Sequence, residues 1–271
     1  MKTKAVLRTI TSLLAITLTA PAITATPAPK PSIVLVHGAL IDGSAWRGVY
    51  DVLVRDGYHV SVVQQPLTGL DEDVAATRRV LDQQTGPVVL VGHSYGGAII
   101  TVAGTDPKVK ALVYVAALVP DAGETAGQAA PPDPERLGNF IATPDGFVML
   151  RPEKFAENFG ADLPRAHAEF IAHAQMPVAI RAFESKVEVA AWRDKPSYYV
   201  LATEDRSLDP EAAERMAQRA GSKVTRVKAS HAVLITKPKA VAKVIEEAAR
   251  EVSRSDQGSA HRGGANSAGN R

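Results

Sequence analysis

The sequence contains no cysteine among its 271 residues, which excludes disulfide bonds, a cysteine nucleophile and cysteine-ligated metal sites. Aromatic residues make up only 5% of the chain, and the formal net charge is only +2. The sequence has no basic patch of the kind that indicates a nucleic-acid-binding protein. Hydrophobic residues are plentiful at 45%, which is enough for the core of one large domain.

The first 25 residues have the composition of a leader. Lys2, Lys4 and Arg8 precede the apolar run "ITSLLAITLTA", which is followed by small residues as far as Ala25. This order predicts a secretory signal peptide over residues 1–25 and an exported protein, either periplasmic or secreted. A membrane anchor is the alternative, but an apolar run of about 11 residues is short for one. We therefore expect no stable membrane insertion after leader removal.

Two further segments have compositions that predict no packed structure. Residues 26–32 include "TPAPKP" and predict an extended linker. Residues 253–271 are rich in glycine, serine and asparagine and predict a disordered tail. Without the three basic residues of the leader, the chain has 28 basic and 29 acidic residues, so the mature chain is nearly neutral.

Between these ends, short apolar runs alternate with amphipathic segments. The run "SIVLVHG" at 32–38 and the run "PVVLVGH" at 87–93 are continuous, as in strands buried on both faces of a parallel sheet. The repeated strand–helix units predict an α/β fold with a mostly parallel, doubly wound sheet of about six strands. Residues 33–120 and 196–252 form this predicted core.

The alternation stops between residues 121 and 195. This stretch is rich in proline and contains one clear helical pattern, "LPRAHAEFIAHAQ" at 163–175, but no clear buried strand. It predicts an inserted, mainly helical cap over the carboxyl ends of the strands, where ligands bind in such sheets.

The pentapeptide "GHSYG" at 92–96 lies where a buried strand ends and a helix begins. That context predicts a nucleophile elbow with Ser94 as the nucleophile, whereas a serine in an ordinary glycine-rich loop is the alternative. Ser94 then needs a base within hydrogen-bonding reach. His231 follows the last predicted strand and precedes the last helix, so it is the predicted base. The other histidines lie in the tail, at a strand start, in the cap helix or beside glycines at strand ends.

The base in turn needs an acid at the end of a neighbouring strand. Asp205 follows the strand "SYYVLAT" and is the predicted acid, with its neighbour Glu204 as the main rival. Asp209 precedes a proline and is predicted to be a helix N-cap. Asp121 and Glu124 remain a second possibility.

Two backbone amides are predicted to form an oxyanion hole. One is the N–H of Tyr95, which follows the nucleophile. The other comes from the loop after the first strand, from Ala39 or alternatively Leu40. Neither this mechanism nor any motif implies a metal or an organic cofactor.

Four stretches in order, "LVHGALIDGSAW", "LVGHSYGGA", "TED" and "SHAVL", resemble the α/β-hydrolase superfamily over residues 33–250. The resemblance is to the branch of plant methylesterases, hydroxynitrile lyases and bacterial esterase relatives. It implies Ser94, Asp205 and His231 as the catalytic triad and the amides of Ala39 and Tyr95 as the oxyanion hole. It also implies a serine esterase acting on a small-molecule ester.

The chain departs from the lyases of that branch at two positions. The lyases carry a threonine where this chain has Gly38, and a lysine where it has Ala232. We therefore expect ester hydrolysis through an acyl-enzyme, with cyanohydrin cleavage or a non-catalytic ligand-binding role as alternatives. Apolar residues of the cap could favour an apolar substrate or could form the cap's own core: Phe140, Phe147, Met149, Phe155, Phe159, Phe170, Met176 and Trp192.

Overall fold

The computed structural model describes residues 30–131 and 133–265, the last ten of them by backbone alone. The predicted signal peptide at 1–25 lies outside the described residues. In chain order the strands are β1 (Ser32–Val36), β2 (Val60–Val63), β3 (Val88–His93), β4 (Val109–Val115), β5 (Phe140–Ala142), β6 (Phe147–Leu150), β7 (Val178–Ala179), β8 (Ser197–Ala202) and β9 (Lys223–Val227).

Helices connect most of these strands, and single 3-10 turns lie at Gly43–Trp46, Pro134–Asn139 and Ala191–Arg193. The α-helices are α1 (Arg47–Arg55), α2 (Leu70–Asp82), α3 (Gly96–Ala103), α4 (Ala126–Ala129), α5 (Pro152–Asn158), α6 (Arg165–His173), α7 (Arg181–Glu184), α8 (Pro210–Arg219), α9 (Val233–Thr236) and α10 (Pro238–Ala265).

The main sheet has six parallel strands in the order β2-β1-β3-β4-β8-β9, as the sequence predicts. Helices α1 and α10 pack against each other, α2 packs against α3, and together they flank the sheet. All residues of β3 are buried, because helices cover both of its faces. The strand order reverses between β1 and β3, and the carboxyl ends at such a reversal form a crevice where ligands bind.

The cap is inserted between β4 and β8. Most of its regular structure is helical, as predicted, but it also contains a three-stranded antiparallel sheet of β5, β6 and β7 that the sequence analysis did not predict. These strands have only two to four residues each, which is too short to show an alternating pattern.

Both predicted unstructured segments need correction. Ser32, assigned to the linker, begins β1 and pairs with Val88 of β3. Helix α10 continues to Ala265, so the prediction of a disordered tail from residue 253 is wrong over residues 253–265, and residues 266–271 lie outside the described part. An established helix gains one backbone hydrogen bond per added residue, which carries it into a polar sequence. No helix of the described residues is long and apolar enough to cross a membrane.

Candidate active site

Ser94 lies directly after β3 in a strained conformation. Its φ of 52° falls in the left-handed region, which side chains rarely adopt. Its carbonyl accepts hydrogen bonds from the amides of Gly97 and Leu118, at 2.9 and 3.0 Å, and its own amide donates to Val115. Strain of this kind persists only where the surroundings fix the backbone, and here backbone bonds on both sides of the turn do so.

Two glycines make this turn possible. A Cβ on Gly92 would lie 2.5 Å from the carbonyl oxygen of Gly96, and one on Gly96 would lie 2.6 Å from the carbonyl oxygen of His37. Strand β3 and the start of α3, and the start of α3 and the end of β1, therefore approach more closely than any side chain permits. This arrangement is the sharp strand–turn–helix that the pentapeptide predicts.

The structure brings the three predicted catalytic residues together. His231 Nε2 lies 2.8 Å from Ser94 Oγ, and His231 Nδ1 lies 2.7 Å from Asp205 Oδ2. Asp205 and His231 are both buried, and Ser94 remains partly accessible. Each residue follows the carboxyl end of a different strand, β3, β8 or β9, so the parallel sheet itself gathers them at one edge.

Asp205 is fixed at both oxygens. While Oδ2 faces His231, Oδ1 accepts hydrogen bonds from the amides of Ser207 and Leu208, at 2.8 and 2.9 Å. These bonds hold the carboxylate plane against the imidazole, so that Nδ1 carries the ring proton and Nε2 is left to accept from the serine.

The rival acids have other partners. Glu204 is exposed, and its carboxylate lies 3.5 Å from the ammonium of Lys228. Asp209 caps α8, accepting hydrogen bonds from the amides of Glu211 and Ala212. Asp121 forms an ion pair with Arg193, and Glu124 forms an ion pair with Arg219.

The loop after β1 packs directly on the nucleophile. A Cβ on Gly38 would lie only 2.7 Å from Ser94 Cβ, so the backbone leading to Ala39 runs beside the serine. Tyr95 begins α3 on the other side of Ser94. Among the described residues, the amides of Ala39 and Tyr95 donate to no other atom, which leaves both N–H groups available. Leu40, the alternative donor, has a φ of 67° and accepts at its carbonyl from Met176 of the cap.

Two buried histidines, His37 and His93, make contacts with backbone groups of these loops. Burial lowers the pKa of His37 to about 4, and its Nδ1 donates to the carbonyl of Gly38 at 2.8 Å. Burial also lowers the pKa of His93 well below its ordinary value, and its Nε2 lies 3.0 Å from the carbonyl oxygen of His231. Of the other histidines whose side chains are described, His59, His167 and His173 are exposed.

The cap contributes aromatic side chains to the site. The ring of Phe159 lies edge-on to His231 at 5.0 Å between centroids, and Phe155 stacks on Phe159 at 4.8 Å. Of the other predicted lining residues, Phe170 and Phe140 are exposed, and Trp192 donates its indole N–H to the carbonyl of Pro120. Phe183, which the sequence analysis missed, packs on the ring of Tyr95 at 5.1 Å.

The sequence analysis also missed a buried carboxylate. Asp73 of α2 has no exposed surface, and its Oδ2 accepts a hydrogen bond from the hydroxyl of Tyr95 at 2.9 Å. The signal is present in the sequence, because Asp73 falls on the apolar stripe of α2 with Leu70, Val74 and Thr77, where a charged residue is unusual.

Among the described residues, no group of histidine and acidic side chains has the arrangement of a metal site. The hydrogen-bonded chain from serine to histidine to aspartate has the residue types and the order of a nucleophile, a base and a charge-stabilising acid. Such an arrangement can carry out acyl transfer.

Comparisons with known proteins identify similar sequences. A family model described as "Alpha/beta hydrolase family" matches residues 33–244. The chain is 26% identical over 247 residues to alpha/beta hydrolase nvfD of Aspergillus novofumigatus, covering 82% of this chain and 98% of that protein. It is 29% identical over 107 residues to methylesterase 8 of Arabidopsis thaliana, covering 34% of this chain and 39% of that protein.

A solved structure shows the same fold. The pyrethroid hydrolase from Sphingobium faniae JZ-2 superposes with a TM-score of 0.69 at 24% identity, covering 81% of this chain and 97% of that one. The predicted fold and the predicted resemblance to the branch of plant methylesterases are thereby confirmed.

Proposed function

The chain belongs to the alpha/beta hydrolase family, and on this basis we propose that it is a serine hydrolase that cleaves a carboxylic ester of a small, apolar substrate through an acyl-enzyme. The observation that carries the proposal is the continuous chain of hydrogen bonds from Ser94 Oγ through His231 to Asp205, at 2.8 and 2.7 Å. The name of the related methylesterase supports ester chemistry.

Acylation begins with attack of Ser94 Oγ on the ester carbonyl carbon. His231 Nε2 takes the hydroxyl proton, and Asp205 stabilises the imidazolium that forms. The carbonyl oxygen becomes an oxyanion, which accepts hydrogen bonds from the amides of Tyr95 and Ala39. His231 then gives its proton to the leaving alkoxide, so that the C–O bond breaks and the alcohol departs.

Deacylation repeats these steps with water. His231 Nε2 removes a proton from water, the hydroxide adds to the acyl carbon, and the same two amides hold the oxyanion. Collapse of this intermediate breaks the bond to Ser94 Oγ, which recovers its proton from His231, and the carboxylic acid leaves. No step requires a metal or an organic cofactor.

An apolar substrate is proposed from the surroundings of the triad. Phe159 lies against His231, and Phe183 lies against Tyr95, so the cap covers the reacting groups with hydrocarbon. The alternative of cyanohydrin cleavage is not favoured, since Ala232 cannot supply the positive charge that supports cyanide departure.

The test is hydrolysis of p-nitrophenyl butyrate by purified protein. We expect a burst of p-nitrophenol close to one equivalent of enzyme if deacylation is slower than acylation. The variant Ser94→Ala should lose roughly 10³-fold or more in kcat. Full activity in Ser94→Ala would overturn the proposal, and faster hydrolysis of charged than of apolar acyl groups would overturn its substrate class.

Export remains part of the proposal. Expression of the full chain in a Gram-negative host, followed by fractionation and N-terminal sequencing, tests it. We expect a mature N-terminus after Ala22 or Ala25 in the periplasm or medium. An intact N-terminus in the cytoplasmic fraction would contradict it.

A further inference from the structure

The mechanism uses the backbone amide of Tyr95 but leaves its side chain unexplained. The Tyr95 ring is fully buried, and its hydroxyl donates to Asp73 Oδ2 at 2.9 Å. The other oxygen of Asp73, Oδ1, accepts from the amide of Leu67 at 2.8 Å. One buried carboxylate therefore joins helix α2, the loop before it and the residue after the nucleophile.

Packing does not account for a carboxylate at this position. Asp73 has no exposed surface, and burial raises its pKa to about 6, so the ionised form is held at a cost to the fold. Leu70 and Val74 beside it on α2 are apolar and equally well buried. An apolar side chain could fill the same stripe, which suggests that the hydrogen bonds of Asp73 serve the site.

The bond to Asp73 fixes the far end of the Tyr95 side chain. Its ring face is held as well, by Phe183 at 5.1 Å between ring centroids. The peptide between Ser94 and Tyr95 follows a residue with a φ of 52°, so this backbone relaxes unless its neighbours hold it. Two amides hold the carbonyl of that peptide, and fixing the Tyr95 side chain restricts its rotation from the other end, where its N–H is the proposed oxyanion donor.

The second bond of Asp73 leads to the cap. Leu67 has a φ of 57°, and its carbonyl accepts from the amide of Ala179 in β7 at 2.8 Å. Phe183, on the Tyr95 ring, lies in α7 of the cap. Both ends of the Asp73 linkage thus reach cap residues, which connects the position of the cap to the position of the oxyanion donor.

We propose that Asp73 is a positioning residue for the oxyanion hole. Through the hydroxyl of Tyr95, Asp73 holds the Tyr95 amide toward the reacting carbonyl oxygen. Through Leu67, it couples the position of that amide to the position of the cap. This inference rests on the proposed function, since it assigns a supporting residue to the same site. Displacement of an oxyanion donor weakens binding of the transition state more than it weakens binding of the substrate.

The experiment is a double-mutant cycle of Asp73→Asn, Tyr95→Phe and the combination, with kcat and KM measured on p-nitrophenyl butyrate. We expect each single variant to lower kcat about 10- to 100-fold with KM changed less than about threefold. The double variant should be no slower than the slower single variant, because both changes remove the charge-assisted hydrogen bond from the Tyr95 hydroxyl to the Asp73 carboxylate. The matched control is Asp71→Asn, an exposed carboxylate on the same helix, with unchanged kcat.

Several outcomes would overturn the inference. They are wild-type kcat in Tyr95→Phe, multiplied losses in the double variant, or a raised KM with kcat unchanged. Thermal unfolding and near-ultraviolet circular dichroism show whether each variant is folded. If Asp73→Asn fails to fold, the kcat of Tyr95→Phe, which keeps the ring and the carboxylate, tests the inference on its own.

Failure of the proposed function gives a different result. If wild type hydrolyses no ester in the same assay, the proposed function falls, and the rate at which a fluorophosphonate labels Ser94 replaces kcat in the cycle. That label also develops charge on an oxygen facing the donors, so the same 10- to 100-fold slowing is expected. Equal labelling rates in all variants would overturn the inference.

Discussion

The imidazole of His93 holds the backbone of His231. Nε2 of His93 lies 3.0 Å from the His231 carbonyl oxygen, and the two rings are 4.8 Å apart. A carbonyl can only accept, so Nε2 carries the proton and donates. Burial lowers the pKa of His93 far enough that the ring is neutral, which leaves one tautomer. The residue before Ser94 thus positions His231, the proposed base.

Replacing His93 by leucine should therefore reduce both stability and activity. The buried carbonyl of His231 would lose its partner, and we expect a loss of about 1–3 kcal/mol in unfolding free energy. We also expect kcat to fall about 10-fold or more, because His231 would no longer be held at 2.8 Å from Ser94. Denaturant titration and steady-state kinetics measure the two effects.

The matched variant is His93→Gln, whose terminal amide nitrogen reaches about as far as Nε2 and can donate to the same carbonyl. We expect it to retain more stability and a higher kcat than His93→Leu. Equal losses in both variants would show that ring packing, rather than the hydrogen bond, is what His93 supplies.

Asp205 and Glu204 are adjacent in the chain and should respond very differently to loss of charge. Asp205→Asn places an amide against His231 Nδ1, which favours the wrong tautomer, and we expect kcat to fall by about 10³- to 10⁴-fold. Glu204→Gln removes one exposed partner of Lys228, and we expect kcat to stay within about twofold. Parallel kinetics decide the assignment, and the larger loss in Glu204→Gln would reverse it.

Much of the site could be predicted because it is encoded in strand ends. Continuous apolar runs mark the buried parallel strands, and parallel strands bring the residues that follow them to one edge. Ser94 and Asp205 each follow such a run, and His231 follows the partly exposed edge strand β9, so their meeting could be expected from the order of strands and loops. The choice between Glu204 and Asp205 could not, since neighbouring residues on a loop face different ways. In the structure Asp205 Oδ2 lies 2.7 Å from His231 Nδ1, and two amide bonds hold the other carboxylate oxygen.

Contacts between distant segments were not predictable in the same way. The bond from Tyr95 to Asp73 joins the residue that precedes α3 to a residue of α2, and no spacing rule relates them. Phe183 was missed because it lies in a four-residue helix of the cap, where no periodicity develops. The cap strands were missed for the same reason, since two to four residues carry no alternating pattern.

Gly38 should tolerate no side chain. A Cβ there would lie 2.7 Å from Ser94 Cβ and 2.9 Å from His93 Nδ1, so either the loop or the serine must shift. We expect Gly38→Ala to lower kcat on p-nitrophenyl butyrate about 10-fold or more and to cost about 1–3 kcal/mol in unfolding free energy.

Gly86→Ala is the matched control for that substitution, because a Cβ on Gly86 would meet no atom within 4 Å. We expect its kcat to equal that of wild type. Unchanged activity in Gly38→Ala would mean that the loop moves without disturbing the serine or the adjacent amide of Ala39.

The buried carboxylate of Asp73 should make stability depend on pH. Burial raises its pKa from 3.8 to about 6, so the folded chain binds this proton more tightly than the unfolded chain does. The resulting stabilisation is fully present below about pH 4 and is lost as pH rises through about 6. Relative to Asp73→Asn, we expect wild type to lose about 1–3 kcal/mol of unfolding free energy between pH 4 and pH 7. Denaturant titrations of both proteins across that range measure the difference in unfolding free energy, in which the contributions of groups common to both proteins cancel. Asp71→Asn corrects for the loss of one negative charge. Parallel stability curves for wild type and Asp73→Asn would show that Asp73 titrates alike in the folded and unfolded chains.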